Sequence, residues 1–435
     1  MEIGRILSKF QYADARIERS IDSVIRITND EVKESAGSTS GIGVRVLENG
    51  SWGFASSNSA NADVEALLKK AQRLAGLSKG KIKLALPKIE KKNKKDRVET
   101  VSSEEQVKTL IETAKAMEDR QVASRNLSCM DARVAKEFYN SEGSEITQET
   151  GYSYLSCSCI ARDGMNIQRG AGRSSSRKGF GMLDLKVAQD AKDKAIRLLK
   201  ASPSPKGRFT VVLDPEMTGV FSHEAVGHAC EADSVLDRES ILADKLGKRV
   251  GNELVSIADD PTASDFGGYH YDDEGVEAKK TVLVRNGVLQ NFMTSMETAK
   301  ALGLETNGHA RADGFESVPI IRMSNTYFQK GDASLEDVFD IRSGVYLKGM
   351  RGGSVDIFSG GFMFKAEESH GIKNGEKTGI MRDVTISGNI LETMLNVECV
   401  GRDFGTSPGM CGKFAQEAPV SDGGPHLRLR NVAIG

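Results

Sequence analysis

The chain has 435 residues, of which 39% are hydrophobic and 28% charged, and its formal net charge at pH 7 is -2. This length is too great for one small domain, and the composition is typical of a globular protein with real cores. No run approaches the roughly 20 apolar residues of a membrane-spanning helix, so we expect no membrane integration. The N-terminus lacks a basic segment followed by an apolar run, so a cytoplasmic location is expected.

The net charge and the cysteines indicate which partners and which thiol state to expect. A near-neutral chain has no overall field that attracts nucleic acid. The six cysteines contain no CxxC pair, so reduced thiols are the default.

Mixed strand and helix patterns fill the first two hundred residues. Alternating residues around Asn49-Gly50 predict a β-hairpin over 42–54. Helical spacing of apolar residues predicts helices over 64–74, 107–117 and 188–199. Two prolines and a glycine within 202–207 end the last helix, and we place a domain boundary between residues 205 and 206.

A lysine-rich stretch, 88–97, lies between the first two of these helices. We interpret it as a solvated loop, because no aromatic residues interleave with the lysines. Nucleic-acid contact is the alternative.

Short alternating runs separated by turns dominate the second half. Turn signals occur at Asn286-Gly287, Asn374-Gly375 and Gly388-Asn389, and they predict an antiparallel, β-rich domain.

One helix in this half carries chemistry. Asp214 and Pro215 are typical of a helix start, and His223, Glu224 and His228 follow in the pattern HExxxH. In HExxH zinc sites two histidines bind the metal and the glutamate activates water. Here the histidines are five residues apart, which corresponds to roughly 140° around a regular helix. They can share one ion only if the helix widens locally into a π-turn, which Gly227 would ease. Separate partners for the two histidines are the alternative.

A catalytic zinc ion usually takes a third protein ligand. The residues leave this ligand open among eight candidates: Cys230, Glu231, Asp233, His270, His309, His370, Cys399 and Cys411. Cys411 lies among glycines in a polar stretch, an unusual setting for a packing cysteine. The match of 405–409 to GxSxG lacks the following helix that a serine nucleophile needs.

These residues resemble the TldD/PmbA family of metalloproteases, in its metal-bearing TldD type. The resemblance rests on the HExxxH segment 223–228, on 319–327, on 352–360, and on Cys411-Gly412-Lys413 with Pro419-Val420. At 366–371, Glu-Glu-Ser-His replaces the apolar and aromatic character expected of the family, so the substrate contacts there are in doubt.

The resemblance implies an α+β fold: an N-terminal α/β two-layer domain over 1–205, then a β-rich, barrel-like antiparallel domain over 206–435 that carries the metal-site helix. It implies a peptidase with one Zn²⁺ per chain held by His223, His228 and Cys411, and with Glu224 as the catalytic carboxylate. It also implies peptide or unfolded substrates, and a dimer with a metal-free PmbA-type subunit or a second copy. A non-catalytic partner subunit and a nucleic-acid-associated protein are the alternatives.

Overall fold

The computed structural model describes residues 2–435 and has the predicted α+β architecture. In the N-terminal part the elements follow the order α1 (Glu2–Leu7), β1 (Tyr12–Thr28), β2 (Glu31–Glu48), β3 (Ser51–Ser57), α2 (Val64–Ala75), β4 (Lys91–Lys95), α3 (Ser103–Lys115), β5 (Val122–Asn140), β6 (Glu145–Asp163), β7 (Asn166–Ser176), α4 (Lys186–Leu198) and β8 (Ser202–Pro203).

Strands β1 to β7 form one sheet in the order β3-β2-β1-β5-β6-β4, with β7 also paired to β6. Helix α2 packs on β2 and β3, and α4 packs on β6 and β7, which gives the predicted two layers. The predicted hairpin is confirmed: Asn49 and Gly50 both have positive φ, as a tight turn between β2 and β3 requires. Helices α2, α3 and α4 match the three predicted helices within a few residues.

The C-terminal part contains β9 (Gly207–Leu213), α5 (Pro215–Val220), α6 (Ala232–Leu236), β10 (Ile257–Asp259), β11 (Thr281–Arg285), β12 (Val288–Leu289), α7 (Met296–Leu302), β13 (Ala310–Arg311), β14 (Ile320–Ile321), β15 (Asn325–Phe328), α8 (Leu335–Phe339), β16 (Ser343–Asp356), β17 (Gly361–Lys373), β18 (Glu376–Arg382), β19 (Thr385–Asn389), α9 (Ile390–Leu395), β20 (Val397–Val400), β21 (Gly405–Lys413), β22 (Gln416–Gly424) and β23 (Leu427–Ile434). The boundary that we predict at 205/206 falls between β8 and β9, and it stays a prediction.

Within residues 2–435 a five-stranded barrel closes in the order β16-β9-β23-β19-β17, because β17 pairs back with β16. The pair β9–β16 is parallel and the other pairs are antiparallel. A second sheet has the order β12-β11-β10-β15-β22-β21, so β21 is an edge strand. The main hydrophobic core lies between the barrel, this sheet and helix α5.

Two local predictions are wrong. The lysine-rich stretch is not a loop, since 91–95 form strand β4 parallel to β6. The strand has few apolar side chains to bury, and its backbone pairing with β6 stabilises it instead. Its lysines also form ion pairs, since Lys91, Lys92 and Lys95 lie within 4.0 Å of glutamate carboxylates. Gly388-Asn389 is not a hairpin turn, because the Asn389 side chain accepts hydrogen bonds from the first turn of α9 and caps that helix.

A buried ion-pair network joins the two halves. Arg45 of β2 donates to both carboxylate oxygens of Asp14 and to Glu274, at 3.0 Å, in the C-terminal part. In the described part of the chain, 2–435, no helix has both the length and the apolar character needed to cross a membrane.

Candidate metal centre

The helix that carries the predicted site starts as its sequence indicates. The Asp214 side chain accepts a hydrogen bond from the backbone N–H of Met217 at 2.9 Å, and Pro215 occupies the first turn, where its missing N–H is harmless. Strand β9 leads directly into this cap, so the barrel fixes where the helix begins.

The helix then changes its pitch at the histidines. Residues Phe221–Gly227 form a π-helical segment, in which the N–H of His228 donates to the carbonyl of His223, five residues earlier. The two imidazole ring centroids are 5.2 Å apart and their planes are nearly perpendicular. The widened turn that the five-residue spacing requires is therefore present, and it turns both rings to one side of the helix.

Two glycines allow the close packing of this segment. A Cβ on Gly227 would lie 2.0 Å from the sulfur of buried Met323, so Gly227 admits a neighbour at the point where the π-turn ends. A Cβ on Gly219 would lie 2.4 Å from the backbone nitrogen of Gly423, so Gly219 lets α5 lie directly against β22.

This contact brings in the distant cysteine. Cys411 is on β21, which pairs with β22 through Cys411 opposite Ala418. One ligand atom from each of His223, His228 and Cys411 lies within 4.8 Å of the other two. Sγ of Cys411 is 3.6 Å from Nε2 of His228. Across residues 2–435 no other trio of histidine, cysteine or acidic side chains meets in this way.

The electrostatics of the cluster favour a thiolate. Burial raises the pKa of Cys411, but hydrogen bonds with His223 and His228 outweigh burial and lower that pKa to about 5. Burial lowers the pKa of both histidines, yet the interactions with Cys411, and with Glu231 for His228, raise both pKa values above the usual range. The two imidazoles therefore favour the ionised thiol, the form in which cysteine binds a metal.

Glu224 lies beside the cluster and remains accessible. Its Oε2 is 3.9 Å from Nε2 of His228, the same nitrogen that faces Cys411. Its side chain is 39% exposed, whereas His223 is buried. A carboxylate in this position can reach both the cluster and a molecule that arrives from solvent.

The other candidate ligands have separate partners. Glu231 lies 3.1 Å from Nδ1 of His228, on the far side of the ring from Cys411, so it contacts a proposed ligand and is not itself in the trio. Asp233 pairs with Lys413 at 2.6 Å. The remaining candidates pair or pack away from the cluster: His270 with Asp96, His309 with Asp259, His370 with Glu368, and Cys230 and Cys399 in apolar clusters.

The donor set fits a zinc ion. Two imidazoles and a thiolate are ligands that zinc prefers, and ligand atoms around tetrahedral zinc are about 3.3–3.8 Å apart, which includes the sulfur–nitrogen distance here. His223 also has a buried Nδ1 without a hydrogen-bond partner among residues 2–435. Such an unpaired buried nitrogen is expected of a ring that a bound group completes.

Lys413 lies near the site, although the sequence patterns predicted no role for it. Its ammonium lies 3.1 Å from Glu231 and also contacts Asp233 and the carbonyl of Ile321. The signal was available, because residues two apart on a strand share a face, so Cys411 and Lys413 point the same way.

Comparison with known proteins assigns this chain to a class of protein, the metallopeptidases. Residues 206–435 match the PmbA/TldA metallopeptidase C-terminal domain, 96–199 the central domain, and 13–78 domain 1 of the same family. The chain belongs to the TldD/PmbA metalloprotease family.

Relatives cover nearly the full length. A metalloprotease of Methanothermobacter thermautotrophicus is 43% identical, over 100% of this chain and 98% of the relative. A zinc metalloprotease TldD homolog of Saccharolobus solfataricus is 33% identical, over 98% and 96%. The crystal structure of TldE from Thermococcus kodakarensis superposes with a TM-score of 0.80 at 22% identity, over 100% and 98% of the two chains, which supports the fold alone.

Proposed function

We propose that this protein is a zinc-dependent peptidase of peptides or unfolded segments. His223, His228 and Cys411 would hold one zinc ion per chain, and Glu224 would act as the general base. The observation that carries the proposal is the meeting of two imidazoles and a cysteine thiol beside an accessible carboxylate. Metalloprotease names among the relatives support the same class.

The chemistry divides between the metal and the chain. A bound zinc ion supplies Lewis acidity, which makes water acidic near neutral pH and polarises a carbonyl. Glu224 accepts the proton of the attacking water, since its carboxylate is beside the cluster and open to solvent. The protonated Glu224 then donates to the departing amine, so one residue serves as base and as acid.

Substrate would bind extended beside a strand. β21 is an edge strand that carries Cys411, so a peptide added to this edge would pass the proposed metal site. Main-chain pairing gives affinity with little sequence preference, and a proline near the scissile bond lacks the N–H for it. We expect such proline-containing peptides to be poorly cleaved.

We propose a dimer in the cytoplasm, formed with a metal-free PmbA-type subunit or with a second copy. The structural likeness to TldE shows only that such proteins share this fold.

Metal analysis and peptidase assays on matched variants test the proposal. Glu224→Ala should retain zinc and lose activity, whereas His228→Ala and Cys411→Ala should lose both. His370→Ala and Cys399→Ala are the controls, because the same residue types lie outside the trio, and they should keep both. Full zinc content and activity in Cys411→Ala would refute the assignment. Bound zinc without peptidase activity in the wild type would favour the non-catalytic partner.

A further inference from the structure

Two of the proposed ligands, His228 and Cys411, are 183 residues apart in the sequence. One lysine, Lys413, links the two segments that carry them. Lys413 follows Cys411 by two residues on β21. Its Nζ lies 3.1 Å from Oε2 of Glu231, three residues after His228. The strand with the thiol and the segment with the second imidazole are therefore linked outside the trio itself.

Three acceptor atoms lie within 3.2 Å of the ammonium of Lys413. It lies 2.6 Å from Asp233 and 3.2 Å from the carbonyl oxygen of Ile321, in addition to Glu231. The Lys413 side chain is 9% exposed. An ammonium that donates hydrogen bonds to Asp233 and to the carbonyl of Ile321, and that also pairs with Glu231, is held by contacts on several sides.

Glu231 transmits this position to the imidazole. The same oxygen, Oε2, faces both Lys413 and Nδ1 of His228, each at 3.1 Å. Its Oε1 is buried without a hydrogen-bond partner in the described residues, 2–435. Glu231 therefore has its contacts on one oxygen only, and the loss of Lys413 would leave His228 as the single partner of a buried carboxylate.

We propose that Lys413 is a positioning residue: through Glu231 it fixes the ring of His228 opposite Cys411, and so prepares the site before a metal arrives. Carboxylates that hold a ligating histidine contribute to metal affinity through orientation. This inference rests on the proposed function, and it assigns to Lys413 no contact with metal or substrate.

Metal binding by the full-length protein is the test. The dissociation constant for Zn²⁺ is measured by competition with a chelator, and the visible spectrum of the Co²⁺ form reports the ligand geometry. Lys413→Met should weaken Zn²⁺ binding about 10- to 100-fold and change the Co²⁺ bands. Lys413→Arg, which keeps the charge and can still reach carboxylates, should restore most of the affinity.

The control is Lys194→Met, which removes another largely buried lysine from an ion pair, with Glu367, outside the site. It should leave Zn²⁺ affinity and the Co²⁺ spectrum unchanged. If Lys413→Met does not fold, Lys413→Gln replaces it, since its amide can still donate a hydrogen bond but carries no charge to hold Glu231.

The outcomes separate the two proposals. Wild-type protein that binds Zn²⁺ while Lys413→Met binds it within twofold, with unchanged Co²⁺ bands, refutes the positioning role alone. Equal loss of affinity in Lys194→Met also refutes it, since the effect would then be general destabilisation. Wild-type protein that binds no divalent cation refutes the proposed function and the positioning role together.

Discussion

Gly219 offers a substitution for which helix propensity and packing predict opposite signs. It lies inside α5, and an alanine within a helix is about 1 kcal/mol more favourable than a glycine. Its added Cβ, however, would lie 2.4 Å from the nitrogen of Gly423 and 2.8 Å from the carbonyl carbon of Asp422. Both contacts are with backbone atoms, which cannot rotate away.

The required movement can be worked from these distances. Ordinary contact begins near 3.4 Å, so β22 must retreat from α5 by about 1 Å, and overpacking of this kind destabilises by about 1–3 kcal/mol. Because β21 pairs with β22 along its length, Cys411 moves with it, away from the histidines. Metal–ligand distances tolerate only about 0.2 Å. Packing should therefore win, and metal binding should weaken more than stability alone suggests.

Urea unfolding and zinc competition measure both effects for Gly219→Ala. The matched control is Gly412→Ala, since Gly412 is next to Cys411 on β21 and nothing lies within 4 Å of its added Cβ. The control should keep wild-type stability and zinc affinity. A stabilised Gly219→Ala protein with unchanged zinc affinity would show that β22 is not held by this contact, and the reasoning would fail.

The remaining predictions concern a turn and a carboxylate. Phe414-Ala415 connects β21 and β22 with positive φ at both residues, where Asn-Gly is preferred, so the double change to Asn-Gly should raise the free energy of unfolding by about 1–2 kcal/mol. Replacing Asn374-Gly375, which also has positive φ at both residues, by Phe-Ala should lower the free energy of unfolding by a comparable amount. Urea midpoints equal to that of the wild type would contradict both predictions. A hydrogen bond with His270 and an ion pair with Arg177 lower the pKa of Asp96 to about 2. The ionised Asp96 carboxylate stabilises the folded state above pH 4, and this stabilisation is lost as the pH falls towards 2. Asp96→Asn should therefore lower the free energy of unfolding by on the order of 1 kcal/mol near neutral pH, and the difference from wild type should shrink between pH 4 and pH 2. A difference in unfolding free energy that does not change with pH would exclude the charge of Asp96 as its cause.

Local chemistry determined much of this protein from sequence. The positive-φ turn at Asn49-Gly50 and the start of α5 depend on neighbours within a few residues, and both were predicted. The five-residue spacing of His223 and His228 required a π-turn if the rings were to meet. That inference needed only the pitch of a helix.

The two wrong predictions have different physical causes. Lys91–Lys95 lacks any apolar alternation, yet β6 offers a free edge and the run becomes a strand. Gly388-Asn389 has turn residues, but the start of α9 uses the asparagine as a cap. The first failure came from a distant partner strand, which the local sequence does not reveal. The second was local, because asparagine is as typical of a helix N-cap as of a turn.

The sequence by itself predicted the helix and the residue types that could hold a metal, and it required a widened turn if the two rings were to share one ion. The residues alone left the third ligand open among eight candidates, and the family resemblance implied Cys411. Only the tertiary structure brings Cys411 to the two histidines and places Glu231 and Lys413 behind His228. The physical reason is that this arrangement depends on the close approach of α5 to β22, which the missing side chain of Gly219 permits across about two hundred residues of chain.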